Sequence, residues 1–251
     1  MRQIISKYWD ASSAGYSDIV REELDTKMRE VWLGLVEENR PKGDCLHVLD
    51  AGCGPGFFSV LMAQNGYQVT AFDFSGDMLK AAKANVEHYG VADAVQFSQM
   101  DAHNLAYESN SFDLILSRNM TWTLQNPTKV YSEWLRVLKP GGRFLNFDAN
   151  WNRRYYDEGL QLLLKQDIEE LRRMGYSVDE TDGHNWDEEE MAWSMSLPLN
   201  HELRPQWDVK TLLSLGCTDV RVVTKLPDGI MNEYYTTFYR HFPVFMVCAT
   251  K

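Results

Sequence analysis

The sequence predicts an α/β fold, a parallel sheet covered by helices on both faces. Three observations carry the prediction. Short apolar runs alternate with amphipathic helical stretches between residues 46 and 147, and strands that alternate with helices pair in parallel through crossovers. One run, Phe112-Asp113-Leu114-Ile115-Leu116-Ser117, is apolar almost throughout, which suits a central strand buried on both faces. The first run ends in an acid followed at once by three glycines at alternate positions, a strand leading into a turn.

Taken in order, residues 17–38 read as an amphipathic helix, with Val20, Leu24, Met28, Val31 and Leu35 at helical spacing. Asn39-Arg40-Pro41-Lys42-Gly43 breaks it. Strand 46–50 follows, then helix 57–64 and strand 68–72. Helix 76–89 carries Met78, Leu79, Ala82 and Val86 on one face; Ser75 caps it and Asp77 suits its positive end. Strands 95–97 and 112–117 come next. Helix 127–138 is stopped by Lys139-Pro140-Gly141-Gly142, and a fifth strand covers 143–147. Residues 151–207 read as mainly helical and irregular. The alternation resumes with helix 208–215, strand 219–224 and a last strand at 244–248.

The length of 251 residues suits one domain able to bury a sizeable core. Its parts are an N-terminal helical segment (1–40), a core (44–150), an insert or lid (151–207) and a C-terminal helix with strands (208–251). With 44% apolar and 24% charged residues, disorder, collagen and coiled coil are excluded for the whole chain. No stretch approaches the ~18 apolar residues of a membrane span. The start, Met1-Arg2-Gln3-Ile4-Ile5-Ser6-Lys7, has no apolar signal region, so a cytoplasmic protein is expected. The net charge of −11 gives no electrostatic argument for nucleic acid. Cys45, Cys53, Cys217 and Cys248 fit neither a disulfide framework nor paired metal spacing, and read as reduced thiols.

The most informative stretch is Val48-Leu49-Asp50-Ala51-Gly52-Cys53-Gly54-Pro55-Gly56. Each glycine lets the backbone turn tightly or approach a ligand. A dinucleotide or phosphate loop spaces its glycines differently or ends in Lys-Ser/Thr. Here an acid, Asp50, precedes the first glycine; it repels a pyrophosphate and suits a ligand with a cationic group. Asp73 stands at the end of the second strand, 17 residues after Gly56, where an acceptor for a ribose diol belongs.

This stretch resembles motif I of class I S-adenosylmethionine-dependent methyltransferases, in the subgroup with a type 11 methyltransferase domain. Phe72-Asp73-Phe74-Ser75-Gly76-Asp77-Met78-Leu79 resembles the family's second-strand motif, whose acid binds both ribose hydroxyls. Gln99-Met100-Asp101-Ala102 resembles the motif whose acid reads the adenine amino group. Residues 111–117 resemble the fourth-strand motif, and 136–144 the signature leading into the fifth strand. Tyr8-Trp9-Asp10 with Tyr16 resembles an N-terminal segment that folds over the donor; Tyr8 and Tyr16 fit equally well as surface aromatics pinning a helix.

The resemblance implies a Rossmann-like, doubly wound seven-stranded sheet, mostly parallel with the last strand antiparallel, and a helical lid. It implies S-adenosylmethionine as donor and S-adenosylhomocysteine as product. The donor-site residues it implies are Tyr8, Tyr16, Asp50, Gly52, Cys53, Gly54, Gly56, Asp73, Phe74, Met78, Asp101, Ala102, Ser117 and Arg118.

Methyl transfer from a sulfonium is an in-line displacement, helped mainly by holding donor and acceptor in line. Hydroxyl acceptors usually need a base or a metal; amines, thiolates and stabilised carbanions need little beyond an aimed lone pair. Ser117-Arg118-Asn119-Met120-Thr121-Trp122 lacks the Pro-Pro motif of the family's adenine and glutamine-amide methylators. Strand four also lacks the terminal acid of the metal-dependent members, so no catalytic metal is expected.

The insert holds four of the eight tryptophans, with 13 acidic and 6 basic residues. Trp151, Tyr155, Tyr156, Trp186, Trp193 and Trp207 form either an aromatic pocket for a ring or a cation, or the insert's own small core. His184 and His201 are either a base or surface and capping residues. Asp208 reads first as a helix N-cap. The acceptor-site candidates are Asn119, Trp122, Asn150, Trp151, Tyr155 and His184.

The expected function is methyl transfer to a small-molecule acceptor. The alternatives are a protein methyltransferase acting on basic segments and a non-catalytic module that binds the nucleoside. Nucleic-acid and membrane partners are not expected, and monomer and homodimer stay equally open.

Overall fold

The computed structural model describes residues 2–43, 46–180 and 187–251. Seven strands form one sheet: β1 (His47–Ala51), β2 (Gln68–Asp73), β3 (Val95–Gln99), β4 (Phe112–Arg118), β5 (Leu138–Asp148), β6 (Asp219–Val223) and β7 (Phe245–Thr250). Their order is β3-β2-β1-β4-β5-β7-β6. The first five pair in parallel. β7 runs antiparallel to both β5 and β6, so the mostly parallel sheet with one reversed last strand is as the sequence implies. The order reverses between β1 and β4, which opens a crevice at the carboxyl end of β1.

Helices α1 (Arg2–Asp25), α2 (Met28–Asn39), α3 (Phe57–Gln64) and α4 (Gly76–His88) cover one face. Helices α5 (Pro127–Val137) and α8 (Gln206–Ser214) cover the other. The strands distribute their side chains by strict alternation. Val48, Leu114, Leu116 and Phe147 pack under α2 and α3, while Leu49, Ala51, Ile115 and Phe144 pack under α5.

The structure corrects the N-terminal reading. Residues 17–38 are not one helix but the end of α1 and nearly all of α2, parted at Thr26 and Lys27. Thr26 turns its hydroxyl back on the Glu23 carbonyl at 3.3 Å, the local competition that disfavours threonine inside helices. Both helices lay Val20, Leu24, Met28, Trp32, Leu35 and Val36 into the same core, so apolar period alone does not reveal the break. Trp32, and not Val31, carries the buried stripe on α2: Trp32 is buried and Val31 only half-buried.

Ser75 acts as read: it accepts from the Met78 amide at 3.0 Å and caps α4. Asn126, which the sequence reading did not single out, caps α5, whose first residue is Pro127. The segment after β5 forms a 3-10 turn (Trp151–Tyr155), α6 (Glu158–Arg173), α7 (Glu188–Met195) and a second 3-10 turn (Pro198–His201). α6 packs Leu160, Leu164, Ile168 and Leu171 against Phe238 and Phe242, beside the short α9 (Glu233–Phe238), which the sequence reading lacks. α7 places Trp193 with Leu197 and Trp122.

Candidate active site

The glycine turn takes the shape its sequence demands. Gly52, Gly54 and Gly56 all have left-handed backbones, with φ of 66°, 52° and 88°, where a Cβ is disfavoured. Gly56 holds the N-cap position of α3, and a Cβ there would stand 3.2 Å from the Ala82 Cβ, on the neighbouring α4. The loop is tied to β2 at two points. Cys53 N donates to Phe72 O at 2.9 Å, and Gly54 N donates to Asp73 Oδ2 at 2.8 Å. Asp73 Oδ1 accepts from Ser75 N at 2.8 Å.

A cavity of about 350 Å³ opens over this turn. Of the residues read from the sequence as holding the donor, Tyr16, Asp50, Gly52, Cys53, Gly54, Asp73, Phe74, Met78, Asp101, Ala102 and Arg118 line it. Tyr8 lines a neighbouring cavity instead. Gly56 and Ser117 do not line it; Ser117 is fully buried, its hydroxyl 3.6 Å from Met120 Sδ.

Three carboxylates therefore face one cavity from β1, β2 and the turn after β3. Burial pushes the Asp50 carboxyl up to about 7, against hydrogen bonds from Ser59 that pull it down; Ser59 Oγ donates to Asp50 Oδ2 at 2.7 Å. Burial likewise raises Asp73, opposed by backbone N–H bonds from Ser75, Gly54 and Phe74. Asp101 Oδ1 accepts from the His103 backbone N–H at 2.9 Å and lies 2.7 Å from His103 Nδ1. Sequence reasoning missed His103 as a lining residue; its place two residues beyond Asp101 was the available signal. Burial raises the Cys53 thiol well above its usual range, so Cys53 is a wall residue and not a nucleophile.

Arg118 closes one side. Its guanidinium makes a fork with Glu23 of α1, at 3.1 and 2.8 Å. It lies over the Phe57 ring, 4.2 Å from the centroid.

A second cavity, of about 700 Å³, lies alongside. The two share three lining residues: Tyr16, Arg118 and Asn119. Asn119 has a left-handed backbone, φ 56°. Its N–H donates to Phe147 O at 2.8 Å, and its carbonyl accepts from Trp122 Nε1 at 3.0 Å. Trp122 and Trp151, both read as acceptor-site candidates, line the second cavity. Asn150 and Tyr155 line neither: Asn150 Nδ2 donates to Arg204 O at 3.2 Å, and Tyr155 OH accepts from Arg154 Nη2 at 2.9 Å. His184 and Trp186 lie outside the described residues, and His201 is exposed. Trp193 and Trp207 pack into cores. Tyr234, Tyr235 and Tyr239 line the second cavity and were missed, though 235 and 239 repeat at helical spacing.

Behind both tryptophans stands a fully buried ion network. Asp148 Oδ1 accepts from Trp151 Nε1 at 2.9 Å. Its Oδ2 accepts from Trp122 N at 2.9 Å, from Arg204 Nη1 at 2.8 Å and from the Thr121 hydroxyl. Arg204 in turn makes a fork with Asp208 at 3.0 and 2.9 Å. Asp208 is thus not the N-cap of α8. It sits inside the first turn, turned toward Arg204, and Pro205 holds the cap position. Among the described residues, no three His, Cys, Asp or Glu side chains are grouped to hold a metal.

This sheet order, with a glycine turn after β1 and acids at the ends of β1 and β2 and just after β3, is an α/β fold shared with solved methyltransferase structures. Residues 49–146 match the family model described as methyltransferase domain. Among relatives, the demethylmenaquinone methyltransferase of Leptospira interrogans is 37% identical over 107 residues, covering 41% of this chain and 43% of its own. The tRNA 5-carboxymethoxyuridine methyltransferase of Escherichia coli is 38% identical over 98 residues, 39% and 38% of the two chains. The chain thus spans less than half the length of these curated relatives. A candidate S-adenosyl-L-methionine-dependent methyltransferase structure from Methanococcus maripaludis shares the fold at TM-score 0.62 and 20% identity, covering 96% of this chain and 93% of that one. Among the described residues no helix is long and apolar enough to cross a membrane.

Proposed function

We propose that the protein transfers a methyl group from S-adenosylmethionine to a small-molecule acceptor. The observation that carries this reading is the meeting of two cavities at Tyr16, Arg118 and Asn119. The first is edged by three carboxylates. Such an edge suits a nucleoside with a cationic end and repels a dinucleotide's pyrophosphate. In this reading Asp50 with Gly52 and Gly54 lies at the methionine end. Asp73, Phe74 and Met78 hold the ribose, and Asp101 with Ala102 reads the adenine. The donor supplies a methyl group already activated by the sulfonium charge. The protein's own contribution is to align the two ligands and exclude water.

Segment 151–207 supplies Trp151, Asn152, Arg154, Ser177, Asp179 and Glu190 to the second cavity, and we read it as the acceptor's lid. The net charge of −11 favours a small molecule over a nucleic acid.

Calorimetry with S-adenosylhomocysteine tests the donor site. Loss of a charge-assisted pair of contacts is worth about 1.5–3 kcal/mol, so Asp73→Ala binds at least about tenfold more weakly; equal affinity overturns the assignment. Transfer of a labelled methyl into host-cell extract tests the acceptor. Label in the small-molecule fraction is expected, and label only in macromolecules overturns the small-molecule reading.

A further inference from the structure

Resting on that donor-site reading, we propose that Arg118 recognises the carboxylate at the donor's methionine end, so that the site discriminates against a donor without one. The requirement comes from the ligand. Its methionine end carries an ammonium and a carboxylate on one carbon. A cavity edged by Asp50, Asp73 and Asp101 attracts the first and repels the second. The carboxylate settles there only against a cation.

Among the described residues, three basic side chains line this cavity: His103, Arg118 and Lys129. Two of them belong to the end formed by the turn after β3 and the start of α5. His103 Nδ1 lies 2.7 Å from Asp101 Oδ1, and its Nε2 accepts from Asn126 N at 3.3 Å. Lys129 stands in the first turn of α5, its backbone N donating to Asn126 Oδ1 at 3.0 Å. Of the three, Arg118 belongs to the end where the glycine turn begins. Asp50 pairs with Leu116 across β1 and β4, and Arg118 stands two residues further along the same strand. Its guanidinium lies over Phe57, the first residue of α3 after the glycine turn. Burial raises the Asp50 carboxyl, and the Arg118 charge is among the influences that oppose the rise.

Arg118 keeps capacity for a second carboxylate. A guanidinium has five N–H groups. The fork with Glu23 engages Nη1 and Nη2 once each, and the guanidinium bonds to no other described residue. The side chain is 16% exposed and faces both cavities, so a ligand can reach it. Arg204 shows the same double service in this chain, with Asp148 and Asp208 sharing its guanidinium. The planar fork matches a carboxylate better than a point charge does. Glu23 is then a positioning residue, which fixes the guanidinium from α1 while Arg118 meets the ligand.

Calorimetry with S-adenosylhomocysteine and its decarboxylated analogue, S-adenosyl-3-thiopropylamine, tests the assignment. The analogue keeps the amine and loses only the carboxylate, so the ratio of the two affinities cancels any general loosening of the site in a variant. The wild-type protein binds the acid at least about tenfold more tightly than the analogue. In Arg118→Met the two affinities come within about threefold of each other. Arg118→Lys, which keeps the charge without the planar fork, gives a ratio between these. Equal affinities in the wild-type protein, or a preference for the analogue, overturn the assignment with no variant needed. A preference for the acid that persists unchanged in either variant also overturns it, because another group then holds the carboxylate. Failure of both ligands to bind the wild-type protein overturns the donor-site reading and this inference with it.

Discussion

Arg118 at the end of β4 grips Glu23 on α1 with both terminal nitrogens, at 3.1 and 2.8 Å. The pair joins the sheet's carboxyl edge to the helix that walls both cavities. Each side chain is less than one-fifth exposed, so the fork lies between the surface and buried regimes. Glu23→Ala is expected to lower stability by about 1–3 kcal/mol, read from urea midpoints. It is also expected to speed proteolysis within residues 2–25. Arg118→Lys recovers little, because an ammonium cannot make the planar fork. A variant with unchanged midpoint and cleavage shows that the pair does not fasten the helix.

Asp50 gives a pH dependence with a definite sign. Its folded carboxyl is pushed up to about 7 from an ordinary 3.8. The folded state thus holds this proton more tightly than the unfolded chain, and Asp50's contribution to stability falls as pH rises from about 4 through about 7. A cationic ligand beside it favours the ionised form. Binding therefore expels a proton, and affinity for S-adenosylmethionine rises between pH 6 and 7, levelling above. Asp50→Asn flattens that rise. Calorimetry in two buffers of different ionisation enthalpy counts the proton; none released at pH 6 contradicts the assignment.

Asp148, Arg204 and Asp208 predict an asymmetric mutational response. Arg204 is held by both carboxylates with almost no exposure. Removing one partner strands buried charge, worth about 3–5 kcal/mol, so Asp148→Ala lowers the urea midpoint severely. Asp148 also orients Trp122 and Trp151, so a folded Asp148→Asn variant is expected to raise the acceptor's KM more than the Kd of S-adenosylhomocysteine. Equal changes in both would assign the network to stability alone.

Much of the fold and half of the site were legible from residues close in sequence. Alternation of strand and helix, the cap at Ser75, and the turn from Asp50 to Gly56 are all local, and local patterns fix local geometry. The three carboxylates of the first cavity were legible as a group because each stands at or just beyond the end of its own strand. The second cavity was not, because its wall gathers α1, the turn at 151–155, residues near 177–179, and 231–244. The network behind it links Asp148 to Arg204 across 56 positions. Asp208 resembled a cap because an acid near a helix start usually is one; a buried arginine four residues earlier outweighed that local preference. The break between α1 and α2 escaped notice because both halves bury one stripe against the same core.

The placement of α1 has a thermodynamic consequence. Trp9 and Val20 face the smaller cavity, Ser12, Ile19 and Glu23 the larger, and Tyr16 belongs to both. One helix therefore forms a common partition between the two cavities. Whatever free energy one occupant spends in ordering that partition is no longer required of the other, so the two affinities are linked. By reciprocity, the factor by which donor product tightens acceptor binding equals the factor by which acceptor tightens donor product.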